Sequence, residues 1–135
     1  MPSIVVDAGP LIALFLRRDR AHPRVRRFLE GSGDPLATTL AVVTEAANFL
    51  DARGKLSLFA WIRRGGLALQ AITRDDLDEI GALVKRYADR DIDFADASLI
   101  WLADRLNTTK VLTLDRTDFT VYRRSGGKAF DLVLG

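Results

Sequence analysis

The chain contains no cysteine, so neither a disulfide framework nor a thiolate metal site is open to it. It has one histidine, His22, set in a basic polar stretch and read as an exposed side chain rather than a metal ligand. No apolar run approaches the roughly 18–20 residues that a membrane-spanning helix needs. The N-terminal apolar stretch is broken by Asp7 and shows neither the basic region nor the cleavage site of a signal peptide. A cytoplasmic protein without membrane attachment is therefore expected. Excess charge of one sign is also scarce. Twenty Lys and Arg face eighteen Asp and Glu, a net charge of +2, which by itself does not point to nucleic acid. The arginines are nevertheless clustered, at Arg17, Arg18 and Arg20, at Arg24, Arg26 and Arg27, at Arg63 and Arg64, and at Arg123 and Arg124. Guanidinium forks suit phosphate oxygens, and a solvated arginine-rich surface reads equally well.

What the chain does have is enough apolar material for a core: 48% of its 135 residues. That length predicts one domain spanning residues 1–135. Ile4-Val5-Val6 is a short β-branched run ending at Asp7, and Gly9-Pro10 follows, with Pro10 placed to open a helix. A basic helix is expected from about Ala21 to Glu30, and a short strand at Leu36-Ala37-Thr38. Thr39 should cap a helix running to about Ala52 and ended by Arg53-Gly54, with Val42, Val43, Ala46, Ala47, Phe49 and Leu50 burying most of its surface. Another helix is expected over about Ser57–Arg64, and a third strand over Leu67–Ile72. Thr73 and Asp76 make a capping box, and Asp93 and Asp96 stand in N-cap and N3 spacing ahead of an apolar helix. Lys110–Leu114 and Phe130–Leu134 read as the last two strands. Strands alternating with helical patterns predict an α/β fold, a largely parallel sheet of about five strands with helices on both faces.

In such sheets ligands gather at the C-terminal strand ends. Asp7 closes the first strand and Asp115 the fourth, and their tips meet if those strands are neighbours across the switch point. Each acid has a plainer role: Asp7 and Asp96 at helix N-termini, Asp115 in a turn, Glu45 on the outer seam of its helix. Glu45 sits among apolar residues, where an isolated carboxylate costs several kcal/mol unless paired or coordinated. Two like charges 4 Å apart repel by about 4 kcal/mol at an effective dielectric of 20. A cluster of three or four carboxylates therefore implies a cation, and all-oxygen ligation favours Mg²⁺ or Mn²⁺ over zinc.

Ile4-Val5-Val6-Asp7-Ala8-Gly9-Pro10-Leu11, Thr44-Glu45-Ala46, Asp93-Phe94-Ala95-Asp96-Ala97-Ser98-Leu99 and Leu112-Thr113-Leu114-Asp115-Arg116-Thr117-Asp118-Phe119 together resemble a PIN-domain ribonuclease, specifically the VapC-type toxin of a toxin–antitoxin pair. The resemblance spans essentially the whole chain and implies a PIN-like three-layer sandwich. It places the acidic pocket on Asp7, Glu45, Asp96 and Asp115, with Thr113 and Asp118 as auxiliary residues. On this reading Asp7, Asp96 and Asp115 hold the metal, and Arg17, Arg18, Arg63 and Arg64 hold the RNA backbone. It further implies a homodimer and a small VapB-type antitoxin whose C-terminal segment blocks the pocket. A non-catalytic RNA- or protein-binding module and a solitary housekeeping PIN nuclease are the alternatives. A response-regulator receiver would need an acceptor aspartate after the third strand, where Thr73-Arg74 stands. A haloacid-dehalogenase-type phosphatase would need one two positions after Asp7, where Gly9 stands.

Overall fold

In a computed structural model, which describes residues 3–134, five short strands form one parallel sheet. They are β1 (Ile4–Val6), β2 (Leu36–Thr39), β3 (Ala68–Gln70), β4 (Lys110–Leu112) and β5 (Asp131–Leu132), in the order β3-β2-β1-β4-β5. The first strand is central because Ile4, Val5 and Val6 are apolar without alternation and are buried on both faces. The chain winds outward from β1 through β2 to β3, then crosses back to β4 and on to β5. Right-handed crossovers in these two directions put the connecting helices on opposite faces of the sheet. The order reverses between β1 and β4, so the switch point lies where the two strands end in Asp7 and in Thr113-Leu114-Asp115.

The helices among the described residues are α1 (Ala8–Leu14), α2 (His22–Gly31), α3 (Leu40–Ala47), α4 (Ala52–Arg63), α5 (Leu77–Arg86), α6 (Phe94–Arg105) and α7 (Arg116–Phe119). The most enclosed is α6. Ala95 and every residue from Ala97 to Ala103 are buried, and the helix packs on α5, α3, β1 and β2. Its charged residues stand only near its ends, as expected of a helix covered on all sides. Beside it Tyr87, Phe119, Tyr122 and Phe130 form an edge-to-face chain with ring centroids 5.0–5.9 Å apart. That chain pins the α7 turn to the rest of the core.

Several expected boundaries shift. The helix opened by Thr39 stops at Ala47 instead of reaching Ala52, and α4 begins at Ala52 instead of Ser57. Asp51 is the reason: its Oδ1 accepts the Gly54 N–H at 2.8 Å and starts a new helix. Gly54 is therefore not a helix stop. It lies inside α4, where an added Cβ would come within 3.2 Å of both Leu50 Cβ and the Phe15 carbonyl oxygen. The early end of α3 leaves Phe49 66% exposed, not buried in the core as its apolar pattern predicts. The third, fourth and fifth strands are shorter than their apolar runs, although beyond β5 the Val133 N–H still donates to the Val111 carbonyl at 3.1 Å. His22 is half-buried instead of exposed, its Nδ1 2.8 Å from the Ala13 carbonyl oxygen. The Thr73–Asp76 capping box is present as expected.

Candidate active site

Pairing of Val5 with Val111 and of Val6 with Leu112 brings the ends of β1 and β4 side by side. Asp7 leaves β1 as the N-cap of α1. Its Oδ1 accepts the Ala8 N–H at 2.9 Å, and its Oδ2 accepts the Thr113 hydroxyl at 2.7 Å. The same Thr113 oxygen accepts the Asp115 N–H at 2.9 Å. One buried hydroxyl thus ties the two strand-end acids together. Asp115 in turn caps α7, its Oδ1 accepting the N–H groups of Thr117 and Asp118, both at 3.0 Å.

Two helices bring further carboxylates. Asp93 caps α6 by accepting the Asp96 N–H at 2.8 Å, which sets Asp96 in the first turn. Asp96 Oδ2 accepts the Tyr122 hydroxyl at 3.2 Å. Thr39 caps α3 through the Val42 N–H, and its hydroxyl lies 2.8 Å from Ser98 Oγ on α6. Ser98 donates its own proton to the Ala95 carbonyl, so Thr39 is the donor between them. This buried link fixes α3, and with it Glu45, relative to Asp96.

The electrostatics reflect the crowding. Burial pushes the Asp96 carboxyl up to about 8, and the charges of Asp7, Asp93 and Glu45 add to the rise, against the hydrogen bond from Tyr122. Burial likewise raises Asp7, opposed by the bonds from Thr113 and Ala8 and assisted by Asp115 and Asp93. Glu45, half-buried, is raised by burial and then by Asp93 and Asp7. Burial, with Asp96 nearby, raises the Tyr122 phenol. Only Asp118 goes the other way, because the Arg90 guanidinium donates to its Oδ1 at 2.7 Å.

Asp96, Asp115 and Asp118 each offer a carboxylate oxygen, all within 4.8 Å of one another. A buried carboxyl pushed to about 8 beside further acids is the condition that a cation relieves. The donor set is oxygen alone, so the residues fit Mg²⁺ or Mn²⁺. The geometric trio includes Asp118 beside the expected Asp96 and Asp115. Asp7, also expected as a ligand, accepts one hydrogen bond on each oxygen, which leaves each a further lone pair. Sequence reasoning took Asp93 only as a helix cap, yet its charge acts on Asp7, Glu45 and Asp96. Arg90 was missed altogether. Its partner lies 28 residues away, so no local pattern announces the pair.

The four arginines expected to hold RNA are not brought to this pocket. Arg17 and Arg64 line an open groove of about 1580 Å³ that also includes Asp34, Pro35 and Ala68. Those residues precede β2 or open β3, so this groove lies at the N-terminal end of the strands and the acids at the other. Arg18 and Arg63 are exposed beside Arg17 and Arg64. At the acidic end, Glu45 and Asp93 form one side of a second groove of about 870 Å³, walled by Leu40, Ile72, Leu77 and Phe94, with Arg74 on its rim.

Comparison with known proteins fits this arrangement. The family model described as "PIN domain" matches residues 4–124. Ribonuclease VapC26 of Mycobacterium tuberculosis (strain ATCC 25618 / H37Rv) is 28% identical over 134 residues, covering 96% of this chain and 99% of that protein. The crystal structure of Mycobacterium tuberculosis VapC20, described as a sarcin-ricin loop cleaving toxin, superposes with a TM-score of 0.76 at 20% identity. That match covers 84% of this chain and 91% of VapC20, and it speaks for the fold. The matched segment contains the whole acidic cluster and four of the five strands, and the chain belongs to the PIN domain family.

Proposed function

We propose that this chain is a metal-dependent endoribonuclease of the VapC type, hydrolysing RNA phosphodiester bonds as the toxin of a toxin–antitoxin pair. The observation that carries this reading is the convergence of Asp7, Glu45, Asp96, Asp115 and Asp118 at one end of the sheet, with Asp96 pushed up to about 8. Asp96, Asp115 and Asp118 would hold Mg²⁺ or Mn²⁺, with Asp7 as a fixed negative charge behind them. When bound, such an ion offsets charge on phosphoryl oxygens and acidifies water. The remaining work falls to side chains. Thr113 keeps Asp7 and Asp115 in register. Tyr122 holds one oxygen of Asp96 and leaves the other free. Glu45, whose proton affinity is raised by burial, would accept a proton from the attacking water.

The likeness to VapC26 and VapC20 supports RNA as the substrate and a small VapB-type antitoxin as the partner, its C-terminal segment covering the acids. RNA and antitoxin would meet the protein in the cytoplasm. A homodimer is part of the same reading, and exposed Leu40, Leu77 and Phe94 beside the acids offer apolar surface for a second copy.

The test is cleavage of total RNA by the purified protein with Mg²⁺, with Mn²⁺ and with EDTA, beside an Asp7→Asn variant that keeps the α1 cap. Discrete fragments that require both metal and Asp7 are expected. RNA retained in EDTA but uncut under every condition would favour the non-catalytic binding module.

A further inference from the structure

The negatively charged backbone of the substrate needs a cationic partner beside the acidic pocket, and among the described residues Arg74 stands on the rim of the groove that Glu45 and Asp93 line. The clustered arginines at Arg17, Arg18, Arg63 and Arg64 lie at the other end of the sheet. Arg123 follows α7, but its Nη1 is within 3.2 Å of three carbonyl oxygens, those of Thr120, Val121 and Tyr122. Arg124 is buried against Asp104 and Asn107. Arg116 is exposed, and no side-chain contact among the described residues fixes it.

Arg90 is different. It ends a short 3₁₀ turn (Ala88–Arg90), after which Asp91 takes a left-handed conformation at φ 51° and returns the chain to the α6 N-terminus. This turn sends the Arg90 side chain across to Asp118, one of the three carboxylates whose oxygens cluster within 4.8 Å. The guanidinium therefore stands one hydrogen bond from the cluster. It has five N–H donors, and the bond to Asp118 is the one it makes among the described residues. Its side chain is 29% exposed. Anchored on one edge and open on another, it has the form of an arginine that binds a phosphate by its free fork.

We propose that Arg90 is a substrate-binding residue whose guanidinium, held by Asp118, takes a non-bridging oxygen of the RNA phosphate lying over the acidic cluster. The proposal rests on the ribonuclease reading for its substrate but not for its geometry. Asp118 then has two duties, contributing an oxygen to the cation and orienting Arg90. The sequence distance between Arg90 and Asp118 is bridged by the Tyr87–Tyr122–Phe119 packing, which fixes both turns.

The experiment compares wild type, Arg90→Gln, Arg90→Lys and Asp118→Asn. It reads kcat and KM for RNA cleavage, and the dependence of RNA affinity on salt. Arg90→Gln should raise KM roughly tenfold or more, the scale of a lost charged hydrogen bond, and flatten the salt slope by about 0.7, the share of one single-strand phosphate contact. Arg90→Lys should restore the salt slope while leaving KM raised, because the charge returns without the fork. Asp118→Asn should lower kcat as well. An Arg90→Gln protein with unchanged KM and salt slope, whatever its melting temperature, would reduce the pair to a structural ion pair and leave the ribonuclease reading standing. Wild type that binds RNA without cutting it would remove the ribonuclease reading, and the salt slope would still decide for or against Arg90. Wild type that neither binds nor cuts RNA would remove both.

Discussion

Asp96 concentrates the tension of the site. Its carboxyl ionises at 3.8 in the ordinary case and at about 8 here, with burial the largest cause and the charges of Asp7, Asp93 and Glu45 behind it. A carboxyl raised in this way favours the folded state while it is protonated. That advantage is complete below the ordinary value and is lost as the pH rises through about 8. Asp7 and Glu45 are raised too and act in the same direction. Asp118 and Asp76 are lowered, so their contribution is lost only in more acid solution. The melting temperature in EDTA should therefore fall between about pH 5 and pH 9. Asp96→Asn should melt higher than wild type at the alkaline end, show a shallower fall and cleave no RNA. Added Mg²⁺ should raise the melting temperature of wild type and barely move that of the variant. A wild-type curve that stays flat or climbs over this range would mean that Asp96 ionises freely and that the cluster needs no cation.

At the scale of elements, the site depends on small polar links between pieces that carry the acids. Thr39 is the clearest case, because its buried hydroxyl caps α3 and reaches Ser98 on α6. Thr39→Val keeps the β-branched shape and removes both bonds. It should cost about 1–2 kcal/mol in urea unfolding and lower kcat by displacing Glu45. Unchanged kcat with the stability lost would mean that Glu45 is placed by other contacts. Thr39 also shows how much of the design was legible in the chain. A threonine before an apolar helix is a local signal, and so are Asp7 after Ile4-Val5-Val6, the Thr73–Asp76 box and the Asp93–Asp96 spacing. Each depends on neighbours within four residues. Most of what escaped depends on contacts distant in sequence. The Asp51 cap, three residues from Gly54, is instead a local signal that the apolar periodicity around it concealed. The end of α3 is set by the new cap at Asp51 and by the close approach of Gly54 to Phe15. The burial of His22 is set by the Ala13 carbonyl on α1, and Arg90 by Asp118 on α7. The apolar periodicity of Phe49 promised a core position, but periodicity does not say where a helix stops.

At the scale of the whole molecule, the direction of the strands separates the candidate catalytic acids from the expected RNA-binding arginines. A parallel sheet has all its C-terminal ends on one side, and this one gathers the acids there. The N-terminal side holds Arg17, Arg26, Arg53 and Arg64, interleaved with Glu30, Asp34 and Asp51, around a groove with Phe15, Leu29 and Trp61. A fold of this many residues is about 30 Å across, so a short single strand seated on the acids would not reach the groove at the other end of the strands. Converting Arg17, Arg18, Arg63 and Arg64 together to Glu should leave kcat and KM for a tetranucleotide within about twofold of wild type, since at this distance screening at ordinary salt removes most of the interaction. A long structured RNA is another matter, because it can wrap from one end of the sheet to the other. Its binding should weaken and lose salt dependence in proportion to the phosphates released, about 0.9 of slope for each in a duplex region. Parallel assays on the two substrates separate the possibilities. A tetranucleotide that suffers as much as the long RNA would put the four arginines in contact with the cleavage site, against the polarity of the sheet. If neither substrate responds, the N-terminal groove serves something other than RNA.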